Sequence, residues 1–141
     1  MLVDIIICTY NKSKFLKICL DALLPQLTPD LRQVVGVLIV DNNCRDNTIQ
    51  VVQEIQKIYP FIKLIQEERQ GASHAHNRGA IESAAEYICY LDDDDKPCED
   101  YVRTLVQALE NEQPDLAGGP VLPYYLIERP LWFRDEFLRI V

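Results

Sequence analysis

A chain of 141 residues, 48% of them apolar, has the size and the material for one globular domain with a substantial core. Its net charge of −8 excludes a general nucleic-acid binder, because the phosphate backbone calls for a basic surface, yet leaves room for one nucleotide held through a metal. Five cysteines without a C-x-x-C pair exclude a disulfide scaffold and a zinc ribbon. With no basic, apolar leader and no apolar run of ~20 residues, the sequence is expected to be cytoplasmic, its thiols reduced.

In chain order, the first expected element is a strand over Leu2–Cys8, "LVDIIIC", short, β-branched and bounded by polar residues. A helix follows over Lys14–Leu24, with Phe15, Ile18, Cys19, Ala22 and Leu23 on one face and Ser13 placed to cap its start. "VVGVLIV", Val34–Val40, is the second strand. Asp46–Tyr59 reads as the second helix, with Ile49, Val52, Ile55 and Tyr59 aligned and Asp46 at its N-terminus as cap. "FIKLIQE", Phe61–Glu67, is a weaker third strand, and the alanine-rich Ser73–Ala85 a third helix. "YICYL", Tyr87–Leu91, is the fourth strand; Tyr101–Leu109 is the fourth helix, entered through Pro97 and acids that a helix N-terminus favours.

Strands that are continuously apolar and alternate with helices predict an α/β fold, a mostly parallel sheet flanked by helices. Sheets of this kind bind ligands beyond the carboxyl ends of their strands. Thr9, Tyr10 and Asn11 directly follow the first strand, Asp41 and "NNCRDNT" the second, and Asp92 to Asp95 the fourth. All three segments are therefore expected on one rim.

The run "DDDD" sets four like charges side by side after a buried strand, where uncompensated carboxylates are costly. In an extended segment Asp92 and Asp94 would face one way and Asp93 and Asp95 the other. Two carboxylates on one side suit a hard divalent cation, Mg²⁺ or Mn²⁺, completed by waters and phosphate oxygens. The alternative is a solvated acidic turn before a helix; the position on the ligand rim favours metal. A calcium loop does not fit, since the third alternate position is Lys96 and no glycine follows. A P-loop motif is absent. His74 and His76, two apart on a helix, point in different directions and do not read as a zinc pair.

Four blocks, "VDIIICTYNKSKFLKICLDALLPQ", "VLIVDNN", "RQGASHAHNRGA" and "YICYLDDDDKP", together resemble the family-2 glycosyltransferases of GT-A fold, in order and in spacing, to about Gly119. The resemblance implies a Rossmann-like nucleotide-binding half of a larger fold. It implies transfer of a sugar from a nucleotide-diphosphate sugar, with UDP the expected nucleotide, to the hydroxyl of an unidentified saccharide or lipid-linked acceptor. It places Thr9, Tyr10 and Asn11 beside the nucleotide, Asp41 on the base, and the segment from Gly71 through Asn77 to Gly79 over the nucleotide. Asp92, with Asp93 beside it, falls near the ribose, and Asp92 and Asp94 are the ends of the D-x-D motif, Asp94 on the metal that holds the diphosphate. His76 stands where the family generally has arginine, with fewer donors and less charge; Arg78 lies on a different helix face. "DNNC" departs from the usual D-G-S form.

The resemblance divides the chain into a donor-binding part, residues 1–119, and the start of an acceptor-side portion, residues 120–141, with the catalytic base expected beyond Val141. The tail "PLWFRDEFLRIV" carries Leu131, Trp132, Phe133, Phe137, Leu138, Ile140 and Val141. So apolar a segment is expected to pack on further chain or to form a homodimer with a second copy. Membrane association of a longer protein is compatible with it, though a surface helix would call for a more basic polar face. Two other classes stay open. One is a metal-dependent phosphotransferase or phosphatase with Asp92 as nucleophile and Asp94 as acid, for which the sole downstream lysine is Lys96, beside the motif. The other is a non-catalytic interaction module that has kept the fold.

Overall fold

The computed structural model describes residues 1–133. Four strands and four α-helices alternate: β1 Val3–Thr9, α1 Ser13–Leu23, β2 Val35–Asp41, α2 Thr48–Ile58, β3 Lys63–Gln66, α3 Ala72–Glu82, β4 Tyr87–Tyr90 and α4 Tyr101–Glu112. Every strand pair is parallel, in the order β3-β2-β1-β4. The predicted alternation and the parallel sheet are thus both present.

β1 is central and covered on both faces, which is why it spells three consecutive isoleucines, Ile5 to Ile7, all without solvent exposure. Burial of each such side chain stabilises by about 1.5–3 kcal/mol. Val3, Ile5 and Ile7 point into a core shared with α1, α2 and α4, through Leu16, Leu20, Val52, Val102, Val106 and Leu109. Ile6 faces the other way, with Leu38, Val40 and Ile65, under Ala75 of α3. Gly79 lets α3 lie close on this face: a Cβ there would stand 2.4 Å from Ile6 Cγ2.

Two local expectations are corrected. The buried stripe of α1 is Leu16, Cys19, Leu20 and Leu23, not the predicted stripe with Phe15, Ile18 and Ala22; Phe15 is exposed. Apolar residues cover more than half the circumference of this helix, so periodicity allows two neighbouring stripes and the sheet beneath selects one. Ser13 does not cap α1. It is the first helical residue, and its N–H donates to Asp46 Oδ2 at 3.3 Å. The same carboxylate accepts the Thr48 N–H at 3.0 Å, so Asp46 serves the first turns of both α1 and α2.

Beyond α4 the chain runs to Phe133 without helix or strand. Its tie to the rim is the Tyr124 hydroxyl, which donates to the Asp94 carbonyl at 2.8 Å. Leu131 and Trp132 are exposed; Phe137, Leu138, Ile140 and Val141, on which the packing expectation also rests, lie outside the described residues. No described helix is long and apolar enough to cross a membrane.

Candidate functional site

The register sets Thr9, Asp41 and Gln66 level at the carboxyl edge of the sheet, and β4 ends on the same edge, with the Leu91 N–H on the Ile6 carbonyl. Loops after β1, β2 and β4 therefore leave from one side, as expected. They are also bonded to one another. Asn11, in left-handed conformation at φ 53°, accepts the Arg45 N–H at 2.7 Å and the Asp46 N–H at 3.3 Å through its side-chain oxygen. Lys12, next in the chain, reaches the opposite way: its Nζ lies 2.7 Å from Asp94 and 3.2 Å from Asp93. The side-chain oxygen of Asn11, a residue expected beside the nucleotide, is thus engaged in joining two loops.

On the β2 side, Asp41 is 2% exposed and its Oδ1 accepts the Cys44 N–H at 2.9 Å. It lines a cavity of about 390 Å³ with Asn43, Cys44, Arg45, Ile49, Gln66 and Gln70. Between the lining residues Asp41 and Asn43 stands Asn42, which the sequence reading did not single out. Buried at the end of β2, Asn42 donates through Nδ2 to the Glu67 and Arg69 carbonyls, at 3.1 and 2.7 Å, and accepts the Gly71 N–H at 2.7 Å. One amide thereby fixes the path from β3 into α3. Gly71, at φ 139°, occupies a conformation that side chains disfavour, and opens α3. On the same segment, Arg69 binds both oxygens of Glu67, at 2.9 and 3.2 Å, and holds its carboxyl down at about 2. An unbroken "DNN" at a strand end was the available signal for Asn42; short-range pattern gives none for the Glu67–Arg69 pair.

The acidic run is not extended. The Asp95 N–H returns to the Asp92 carbonyl at 3.1 Å, closing a turn. Strand pairing stops at Leu91, so the backbone groups beyond it bond to each other. Asp92 and Asp94 are exposed, Asp93 is buried at 5% and Asp95 is half-buried. The predicted pairing by alternation gives way to a different one, in which adjacent Asp93 and Asp94 share Lys12. Burial raises the Asp93 carboxyl above its ordinary value, while the Thr9 hydroxyl and the Lys12 ammonium pull it down. Thr9 Oγ1 is itself buried without meeting hydrogen-bond geometry to any partner. Burial, reinforced by the neighbouring aspartates, pushes the Cys8 and Cys19 thiols up to about 12, which rules both out as nucleophiles.

Among the described residues, no three His, Cys, Asp or Glu side chains gather around one point. The donor set nonetheless suits a hard cation. Asp92 and Asp94 present carboxylates to solvent, and the turn already holds a single positive charge in Lys12. On α3, Asn77 is exposed. His76 packs edge-on against Tyr90, centroids 4.8 Å apart, and Tyr10 stands 47% exposed on the β1 loop. Arg78 pairs with Glu82 at 2.8 Å, along α3.

Comparison with known proteins agrees with this fold. Glycosyltransferase AglE of Haloferax volcanii is 31% identical over 120 residues, covering 84% of this chain and 39% of that protein. The mannosyltransferase PcManGT of Pyrobaculum calidifontis, solved with GDP-Man and Mn²⁺, has a TM-score of 0.68 at 27% identity, over 77% of this chain and 32% of its own. TarS of S. aureus has a TM-score of 0.71 at 23% identity, over 80% and 33%, a likeness of fold. The chain spans less than half the length of each of these. Glycosyl transferase family 2 matches residues 4–140, nearly the whole chain. With its four ordered motif blocks and its parallel sheet, the chain belongs to Glycosyl transferase family 2.

Proposed function

We propose that this chain is the donor-binding part of a glycosyltransferase that moves a sugar from a nucleoside diphosphate, UDP in the first place, to an acceptor hydroxyl. One observation carries the reading: Asn11 and Lys12 bond the β1 loop to the loops after β2 and β4, setting Asp41 and the aspartate run on one rim. Related proteins supply the ligand class, since TarS has been solved with UDP and with UDP-GlcNAc, and PcManGT with GDP-Man and Mn²⁺.

The base occupies the cavity at Asp41, whose carboxylate has acceptor capacity beyond the Cys44 N–H and takes an imide N–H of uracil. Gln66, Gln70 and Asn43 offer amides around the ring edge. Thr9 and Tyr10 border the nucleotide from the β1 loop, and Gly71 and Asn77 from α3. Asp92 and Asp93 meet the ribose side, and Asp92 and Asp94 hold Mg²⁺ or Mn²⁺. When bound, that cation supplies Lewis-acid stabilisation to the departing diphosphate. Residues 1–119 form this donor side and residues from 120 onward begin the acceptor side; no described residue is assigned as acceptor base.

Titration calorimetry with UDP, with and without Mn²⁺, tests the reading. Weak binding is expected that requires the metal. Absence of metal-dependent binding for every nucleoside diphosphate tried sinks it.

A further inference from the structure

We infer that Lys12 is a tethered counter-cation of the acidic turn, which a divalent cation must displace and which makes metal binding depend on the nucleoside diphosphate. The inference rests on the donor-site reading above.

Lys12 is held where it can do this. Asn11, before it, is locked in left-handed conformation by two bonds to the β2 loop, and α1 begins directly after it. From this fixed root the ammonium spans the rim to Asp93 and to Asp94, the latter 82 residues away in sequence. One of its partners, Asp93, is buried, and a buried carboxylate loses stability when its counter-charge leaves. The other, Asp94, is exposed and belongs to the motif expected to hold metal.

The consequence follows from charge balance. A divalent cation that arrives alone takes Asp94 from an ammonium, which is left close to a doubly positive ion. A cation that arrives with a diphosphate brings phosphate oxygens that pair with the displaced ammonium. Binding of metal alone is therefore weakened, and binding of metal with diphosphate is not. Expressed as linkage, Lys12 adds to the coupling between the two ligands, equally in both directions.

The experiment measures free Mn²⁺ by electron paramagnetic resonance, with protein alone and with protein saturated by UDP. It compares wild type, Lys12→Met, Lys12→Arg and Lys17→Met. Lys17 is the control on the same helix, paired with Asp21 at 2.6 Å. Lys12→Met should bind Mn²⁺ alone about fivefold more tightly, the scale of one exposed ion pair, and its Mn²⁺–UDP coupling should shrink by a similar factor. Lys12→Arg and Lys17→Met should stay at wild-type values in both measurements. Unchanged or weaker Mn²⁺ binding by Lys12→Met overturns the inference, as does an undiminished coupling. If Lys12→Met proves unfolded by circular dichroism, Lys12→Gln takes its place under the same criteria. Wild-type protein that binds no Mn²⁺ even with UDP overturns both this inference and the donor-site reading; intact wild-type coupling that Lys12→Met leaves unaltered overturns this inference alone.

Discussion

The two flanks of the rim are built on different principles. At β2 the flank is closed in the sense that its polar groups are already partnered: Asn42 spends its amide on three backbone groups, and Asp41 and Glu67 are each bound by neighbours in their own loops. At β4 the wall is charged and open: four carboxylates crowd a turn whose ion-pair contact among the described residues is the single ammonium of Lys12. The first flank is shaped before any ligand arrives, as recognition of a flat base requires. The second has unspent negative charge that a cation and a diphosphate can complete. Substitutions on the two sides should therefore fail in different ways, function without stability at β4 and both together at β2.

The largest expected effect lies on the open flank. Asp94→Asn should abolish metal-dependent UDP binding while leaving the melting temperature nearly unchanged, because an exposed ion pair contributes only about 0–1 kcal/mol. Calorimetry and a thermal melt on the same sample check this. A large loss of stability with binding intact would reverse the comparison. Asn42→Ala, on the closed flank, should cost about 2 kcal/mol, as it strands the buried Glu67 carbonyl and the partly buried Arg69 carbonyl and Gly71 N–H, and should weaken UDP binding as well. Urea unfolding gives the first number. An alanine variant of wild-type stability would show that the β3–α3 loop does not depend on Asn42.

Beneath both flanks the sheet sets their separation. Gly79→Ala places a methyl 2.4 Å from Ile6 Cγ2 and 3.3 Å from Val40 Cγ2, so α3 must lift or the core must shift. Overpacking of this kind costs about 1–3 kcal/mol. The displaced helix carries Gly71 and Asn77, so UDP affinity should fall more than affinity for Mn²⁺ alone, which the β4 turn governs. Equal losses for both ligands would mean that the flanks are mechanically one unit.

What the sequence made legible follows the same division. Continuous β-branched runs such as "DIIIC" and "VLIV" determine a central parallel sheet, and parallel strands force their following loops onto one edge, so the rim could be read from order alone. The shape of each loop could not. Period-2 alternation applies only while a strand has a partner; Asp92 to Asp95 have none and turn, so their pairing had to come from the structure. Lys12 looked like an ordinary surface lysine because its partners are distant in sequence. Asn42 carried a signal in its unbroken "DNN", but which groups it meets is encoded by no spacing, and the same holds for the Glu67–Arg69 pair. The stripe of α1 failed because too many apolar residues made the pattern ambiguous.

The smallest effect sharpens the closed flank through pH. Arg69 holds the Glu67 carboxyl at about 2, below its ordinary 4.5. Between those values the unfolded chain binds the proton and the folded chain does not, so stability rises with pH through this window. The contribution is fully present above 4.5 and is lost as pH falls toward 2. Glu67→Gln lacks it, so the stability gap between wild type and variant should be widest near neutral pH and should close on acidification through that window. Urea midpoints of both proteins at several pH values measure the gap. Parallel curves would show that Arg69 does not pin this carboxylate, and that the amides of Asn42 and Asn43 hold the loop leading into α3 without it.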